Sequence, residues 1–85
     1  MASYRLQIKP SAAKDIEALP KKDRQRVVRR IHALAIDPRP AGCEKLSGAD
    51  LYRVRQGNLR ILYTVHDDRL LILVIKAGHR REVYR

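Results

Sequence analysis

The chain has 85 residues and a formal net charge of +10, from 19 Lys and Arg against 9 Asp and Glu. That length holds one small hydrophobic core and excludes a multidomain assembly, and the lone cysteine, Cys43, excludes an intrachain disulfide and a cysteine-rich metal site. The charge excess favours an anionic partner such as nucleic acid or an acidic protein, although a solvated basic surface would account for it as well.

The chain opens with Met-Ala-Ser-Tyr-Arg-Leu-Gln-Ile, which lacks the continuous apolar run of a secretory leader. The longest apolar stretch, Leu70 to Ile75, is too short to cross a bilayer. A reducing, cytoplasmic setting without membrane partners is the expectation.

From Tyr4 to Lys9 polar and apolar residues alternate, which predicts a half-buried strand with Tyr4, Leu6 and Ile8 on one face. Pro10 closes it, and Ser11 is placed to cap a helix from Ala12 to Leu19. Pro20 suits the opening of a second helix, with Asp23 in its first turn. Val27, Val28, Ile31, Leu34 and Ala35 recur there at helical spacing, leaving Arg26, Arg29, Arg30 and His32 on a wet face. That face is either solvated surface or a contact for nucleic acid or the ribosome. Asp37-Pro38-Arg39-Pro40 stops the helix. Residues 41–50 read as a linker, with Leu46 turned inward and Gly48 in a turn.

Two strands follow, Tyr52-Arg53-Val54-Arg55 and Leu59-Arg60-Ile61-Leu62-Tyr63, joined at Gly57-Asn58, whose residues tolerate the positive φ of a tight hairpin. With Tyr52 and Val54 inward, Arg53 and Arg55 project from the other face. Asp67 and Asp68 mark a turn, and a third strand from Leu70 to Ala77 is apolar on both sides, as in a covered central strand. A polar tail begins at Gly78. The order is β-α-α-β-β-β: an α+β fold, one domain spanning 1–85, with two N-terminal helices on a mainly antiparallel sheet and a short C-terminal tail.

No glycine-rich phosphate loop or His-Glu metal motif is present, and His32, His66 and His79 are too dispersed to suggest a metal site. The chemistry that remains is cationic. Arginines held on strands can meet the charge that develops on a phosphodiester with bidentate hydrogen bonds, which singles out Arg53, Arg55 and Arg60. RNA brings its own nucleophile, the 2′-hydroxyl, and then needs a proton acceptor, a donor to the leaving oxygen and positive charge. His79 is either a surface residue or, as an imidazole can be, a proton-exchanging group, and Tyr84 could stack on a base, handle a proton, or simply pack on the sheet. Arg80 and Arg81 are either part of such a site or an ordinary charged terminus.

The ordered set Asp37-Pro38, Lys45-Leu46-Ser47-Gly48, Leu51-Tyr52-Arg53-Val54-Arg55, Gly57-Asn58-Leu59-Arg60-Ile61-Leu62-Tyr63 and Gly78-His79-Arg80-Arg81-Glu82-Val83-Tyr84 resembles the RelE branch of the RelE/ParE toxin superfamily, over almost the whole chain. The resemblance implies the toxin of a type II toxin–antitoxin pair, a RelE-like compact domain that cleaves mRNA in the ribosomal A site. The implied chemistry is metal-independent 2′-hydroxyl attack, with no cofactor. It also implies inhibition by a RelB-like acidic antitoxin, with higher-order toxin–antitoxin complexes as a further possibility. By the same resemblance Arg53 and Arg55 lie near the scissile phosphate and Arg60 stabilises it. Arg80 stabilises the phosphate or protonates the leaving group, and Tyr84 stacks on substrate or transfers a proton. Arg81 and Lys45 complete the RNA-contacting set. Some members carry lysine where this chain has Arg53 and Arg55. A guanidinium stays protonated, so His79 is our candidate for the missing base. Two other readings stand beside this one: a ParE-like DNA gyrase inhibitor, and a noncatalytic RNA- or ribosome-binding module.

Overall fold

The computed structural model describes residues 3–46 and 50–79. Strand β1 (Arg5–Ile8) leads into helix α1 (Pro10–Glu17), and helix α2 (Lys21–Ile36) follows after a short break. The anticipated cap at Ser11 is not formed. Pro10 is itself the first helical residue, Lys9 is the N-cap, and no side chain caps the end. A proline fits there because its missing amide proton would have had no partner inside the helix. Pro20, by contrast, is the N-cap of α2 and lies just outside it, and Asp23 sits in the first turn as expected.

Among the described residues four more strands join the sheet: β2 (Glu44–Lys45), β3 (Leu51–Gln56), β4 (Leu59–His66) and β5 (Leu71–His79), in the spatial order β1-β5-β4-β3-β2. Among the described residues, only the β1–β5 pairing is parallel. The β3–β4 hairpin closes with Gln56 opposite Leu59. Of its two loop residues only Gly57 takes a positive φ, 61°, where a side chain would be strained.

Three details depart from the sequence reading. The presumed linker contains β2, a two-residue strand of charged residues whose composition carries no strand signal. The third long strand begins at Leu71 rather than Leu70, because Asp67–Arg69 forms a 3-10 turn and Leu70 ends it in the left-handed region at φ 48°. The same strand runs on through Gly78 and His79, so these two residues belong to the sheet and not to a tail. Pairing slips between Leu62 and Tyr63: Leu62 faces Lys76 and Tyr63 faces Val74, leaving Ile75 as the extra residue of a bulge.

One face of the sheet is dry. Tyr52, Val54, Ile61, Tyr63, Val65, Ile72 and Val74 pack with Ala12, Ile16, Leu19, Val27, Ile31 and Leu34. Burying each large aliphatic contributes about 1.5–3 kcal/mol, and β5, flanked by β1 and β4, is the central strand its composition predicts. Two residues expected inward are not. Val28 is 38% exposed and Ile8 is 42% exposed. Val28 lies one residue, and so 100° around the helix, from Val27 on the inward stripe, while Ile8 ends an edge strand.

Candidate functional site

The face of the sheet away from the helices gathers the arginines singled out from sequence. Arg53 alternates with the buried Tyr52 and Val54, and it lies directly opposite Glu44 on one side and Leu62 on the other. Arg55 lies directly opposite Arg60 across the β3–β4 ladder. Facing residues of an antiparallel pair project to the same side, so Arg53, Arg55, Arg60 and Glu44 share one surface.

These groups differ in how they are held. Arg60 is only 6% exposed, and its Nη1 donates to the carbonyl oxygens of Leu59, at 3.3 Å, and Gly57, at 3.4 Å. The hairpin loop thus fixes this guanidinium at the base of the surface. The Arg53 side chain is 12% exposed and that of Arg55 is 55% exposed, so positive charge grades from anchored to open across the face.

Glu44 ties the group together. Its Oε2 accepts from Arg53 Nη2 at 2.6 Å, and its Oε1 lies 3.3 Å from Arg55 Nη2. Its carboxyl is held below its ordinary pKa, chiefly by the Arg53 hydrogen bond, against an opposing push from desolvation, with Arg55 and Arg60 assisting through space. Glu44 did not stand out in the sequence because strand β2, which presents it, has no periodic pattern. The Lys-Leu motif immediately after it was the only available pointer.

Other sequence-nominated residues fall elsewhere. Lys45 pairs with Tyr52, and His79 pairs with Leu59. Tyr52 and Leu59 both belong to the core under the helices, so register directs Lys45 and His79 away from the arginine face. His79 instead lines a hollow with Asp15, Ala18, Leu19, Pro20 and Lys76. The structure therefore does not bring His79 to Arg53 and Arg55 as a substitute base. Arg80, Arg81 and Tyr84 lie outside the described residues.

A second polar cluster, also not foreseen, braces the far end of the sheet. Arg39 places Nη2 2.8 Å and Nη1 3.2 Å from the two carboxylate oxygens of Asp67, and its Nε donates to the Tyr52 hydroxyl at 3.0 Å. Its guanidinium lies 5.1 Å from the Tyr52 ring centroid, and Tyr52 stacks on Tyr63 at 5.8 Å. The Tyr4 hydroxyl donates to Asp67, and the Tyr63 hydroxyl to the Pro38 carbonyl. These contacts secure the loop leading to Glu44.

A family model described as ParE toxin of type II toxin–antitoxin system, parDE, matches residues 6–84. The chain belongs to the RelE/ParE toxin superfamily. It falls in the RelE branch, as its relatives show. RelE in an archaeal RelE–RelB complex from Pyrococcus horikoshii is 31% identical, with a TM-score of 0.83 over 92% of this chain and 96% of that one. The isolated Escherichia coli RelE toxin is 28% identical, with a TM-score of 0.80 over 96% of this chain and 92% of that one. A curated Methanocaldococcus jannaschii relative, named as a candidate toxin RelE1, is 29% identical across 96% of each chain. Two helices on a mostly antiparallel five-stranded sheet are the fold this RelE-type toxin shares with them.

Proposed function

We propose that this toxin is a ribosome-dependent, metal-independent mRNA endoribonuclease that acts in the A site by 2′-hydroxyl attack. The observation that supports this most is the convergence of Arg53, Arg55 and Arg60 on one face of a rigid sheet. In this reading Arg60, pinned by backbone carbonyls, and the more open Arg53 and Arg55 meet the nonbridging oxygens of the phosphate. Their contribution is electrostatic and strengthens as the pentavalent transition state gains charge. Arg80 adds charge or protonates the leaving oxygen, Arg81 contacts RNA, and Tyr84 stacks on the substrate or transfers a proton. Attack within the RNA strand leaves a 2′,3′-cyclic phosphate and a 5′-hydroxyl.

The partner proposed is a RelB-like acidic antitoxin, by analogy with the Pyrococcus horikoshii and Escherichia coli complexes, in which RelE is bound to RelB. A +10 toxin suits a complementary acidic chain. Cytoplasmic action, and assembly into higher-order toxin–antitoxin complexes, belong to the same proposal.

The deciding experiment combines the purified toxin with programmed ribosomes and mRNA and maps the new RNA ends. A-site cuts that need intact ribosomes and weaken in Arg60→Ala and Tyr84→Ala support the nuclease. Because the matched family model describes ParE, a gyrase supercoiling assay runs in parallel. Loss of supercoiling without RNA cuts assigns gyrase inhibition, and ribosome association without either effect assigns a noncatalytic module.

A further inference from the structure

Arg55 and Arg60 face each other directly, an arrangement that like charges disfavour unless an anion lies close by. The fold supplies one. The two oxygens of Glu44 are divided between Arg53 and Arg55, one to each guanidinium. The two nonbridging oxygens of a phosphodiester would make the same divided contact.

We propose that Glu44 is a resident counter-ion that occupies the phosphate position on Arg53 and Arg55, and that RNA binds by exchanging a phosphodiester for this carboxylate. The inference rests on the phosphate-binding role assigned above to this face. Strand β2 suits an exchangeable group because it is two residues long and at the edge of the sheet, so Glu44 can leave without opening the core. Its side chain is about half exposed, at 45%, so solvent is ready to receive it. A proton-accepting role fits less well, since a carboxylate stabilised in its charged form by guanidinium groups is a weak base. As a counter-ion Glu44 opposes loose anions and favours RNA delivered in a fixed pose. It thereby sets a threshold for binding rather than performing a chemical step.

The test measures binding of the intact toxin to a fluorescein-labelled, uncleavable 2′-O-methyl decanucleotide across a series of salt concentrations. Glu44→Gln keeps the side chain's size and removes its charge. Glu17→Gln, on α1, makes the same change in net charge away from the face. Glu44→Asp keeps the charge and shortens the reach. If exchange operates, Glu44→Gln tightens binding about two- to fivefold, the span of an exposed ion pair, and steepens the salt dependence by about 0.7 in log–log slope. Glu17→Gln then matches wild type, and Glu44→Asp falls on the tighter side of it.

Equal affinity for Glu44→Gln and Glu17→Gln overturns the counter-ion role. So does a Glu44→Gln toxin that binds normally but has lost cleavage on ribosomes, which would make Glu44 a proton acceptor. If an Arg53→Ala/Arg55→Ala variant binds RNA as well as wild type, the phosphate-binding reading of the face falls instead.

Discussion

Arg39 grips Asp67 with both terminal nitrogens of its guanidinium, at 2.8 and 3.2 Å, across 28 residues of sequence. The contact fastens the loop after α2 to the turn before β5. Asp67 is held to a pKa of about 2, first by the Arg39 hydrogen bonds and then by the Tyr4 hydroxyl.

A depressed carboxylate pKa fixes the sign of a pH effect. The stabilisation is fully present above the unfolded value, near 3.8, and is lost as pH falls through about 2. Asp67→Asn therefore lowers Tm at neutral pH, and the gap from wild type closes as pH drops from about 4 to about 2. Thermal melts of both proteins across that range check it. A gap independent of pH would remove the ion pair as its cause.

Tyr63 is fully buried, and its hydroxyl donates to the Pro38 carbonyl at 2.7 Å. Burial raises its pKa, followed by the neighbouring Cys43 thiol, so the phenol stays protonated and keeps donating. Tyr63→Phe leaves that carbonyl unmatched and costs about 1–2 kcal/mol in urea unfolding. The same variant loosens the loop that carries Glu44, so amide exchange should quicken at residue 39 and in residues 41–45 more than in β5.

Leu70 occupies the left-handed region at φ 48° and is 40% exposed. An ordinary side chain costs about 1–2 kcal/mol in that conformation, and little packing offsets it here. Leu70→Gly is expected to unfold at an equal or higher urea concentration than wild type. Ile72→Ala, two residues on and wholly buried, should lose about 2–5 kcal/mol. If both variants fall equally, Leu70 has a packing role.

Arg60 is the anchored member of the arginine face, and on the proposed nuclease reading Arg60→Ala should reduce ribosome-dependent cleavage on the order of 100-fold, as removal of a transition-state donor does elsewhere. Arg60→Lys should recover little of it if the proposed phosphate contact holds, because a lysine cannot reproduce the planar fork needed to reach carbonyls and phosphate together. Recovery by lysine would mean that charge alone is required.

What could be read from sequence was what has a period. The alternation of Tyr52 to Arg55 placed two arginines opposite the core, and the two-sided apolar run of β5 announced a central strand. Periodicity failed where a single contact decides the structure. Glu44–Lys45 is too short to show alternation, and the partnership of Arg39 with Asp67 joins two segments that each read only as a helix stop and a turn. His79 was misplaced because strand β5 runs two residues farther than its apolar run, and register then turns the imidazole toward α1. Each of these misses is a pairing between two segments, invisible to the pattern of either one alone.

The parallel pairing of β1 with β5 sets Arg5 beside Leu71. During synthesis the first strand therefore waits for β5, and the inward stripes of α1 and α2 have no complete sheet to cover until β5 has joined it. A nascent chain halted before residue 71 would hold the hairpin that presents Arg53, Arg55 and Arg60 but lack the strand that joins it to β1. The toxin fold thus closes only once β5 has been made, after the hairpin that carries its arginines.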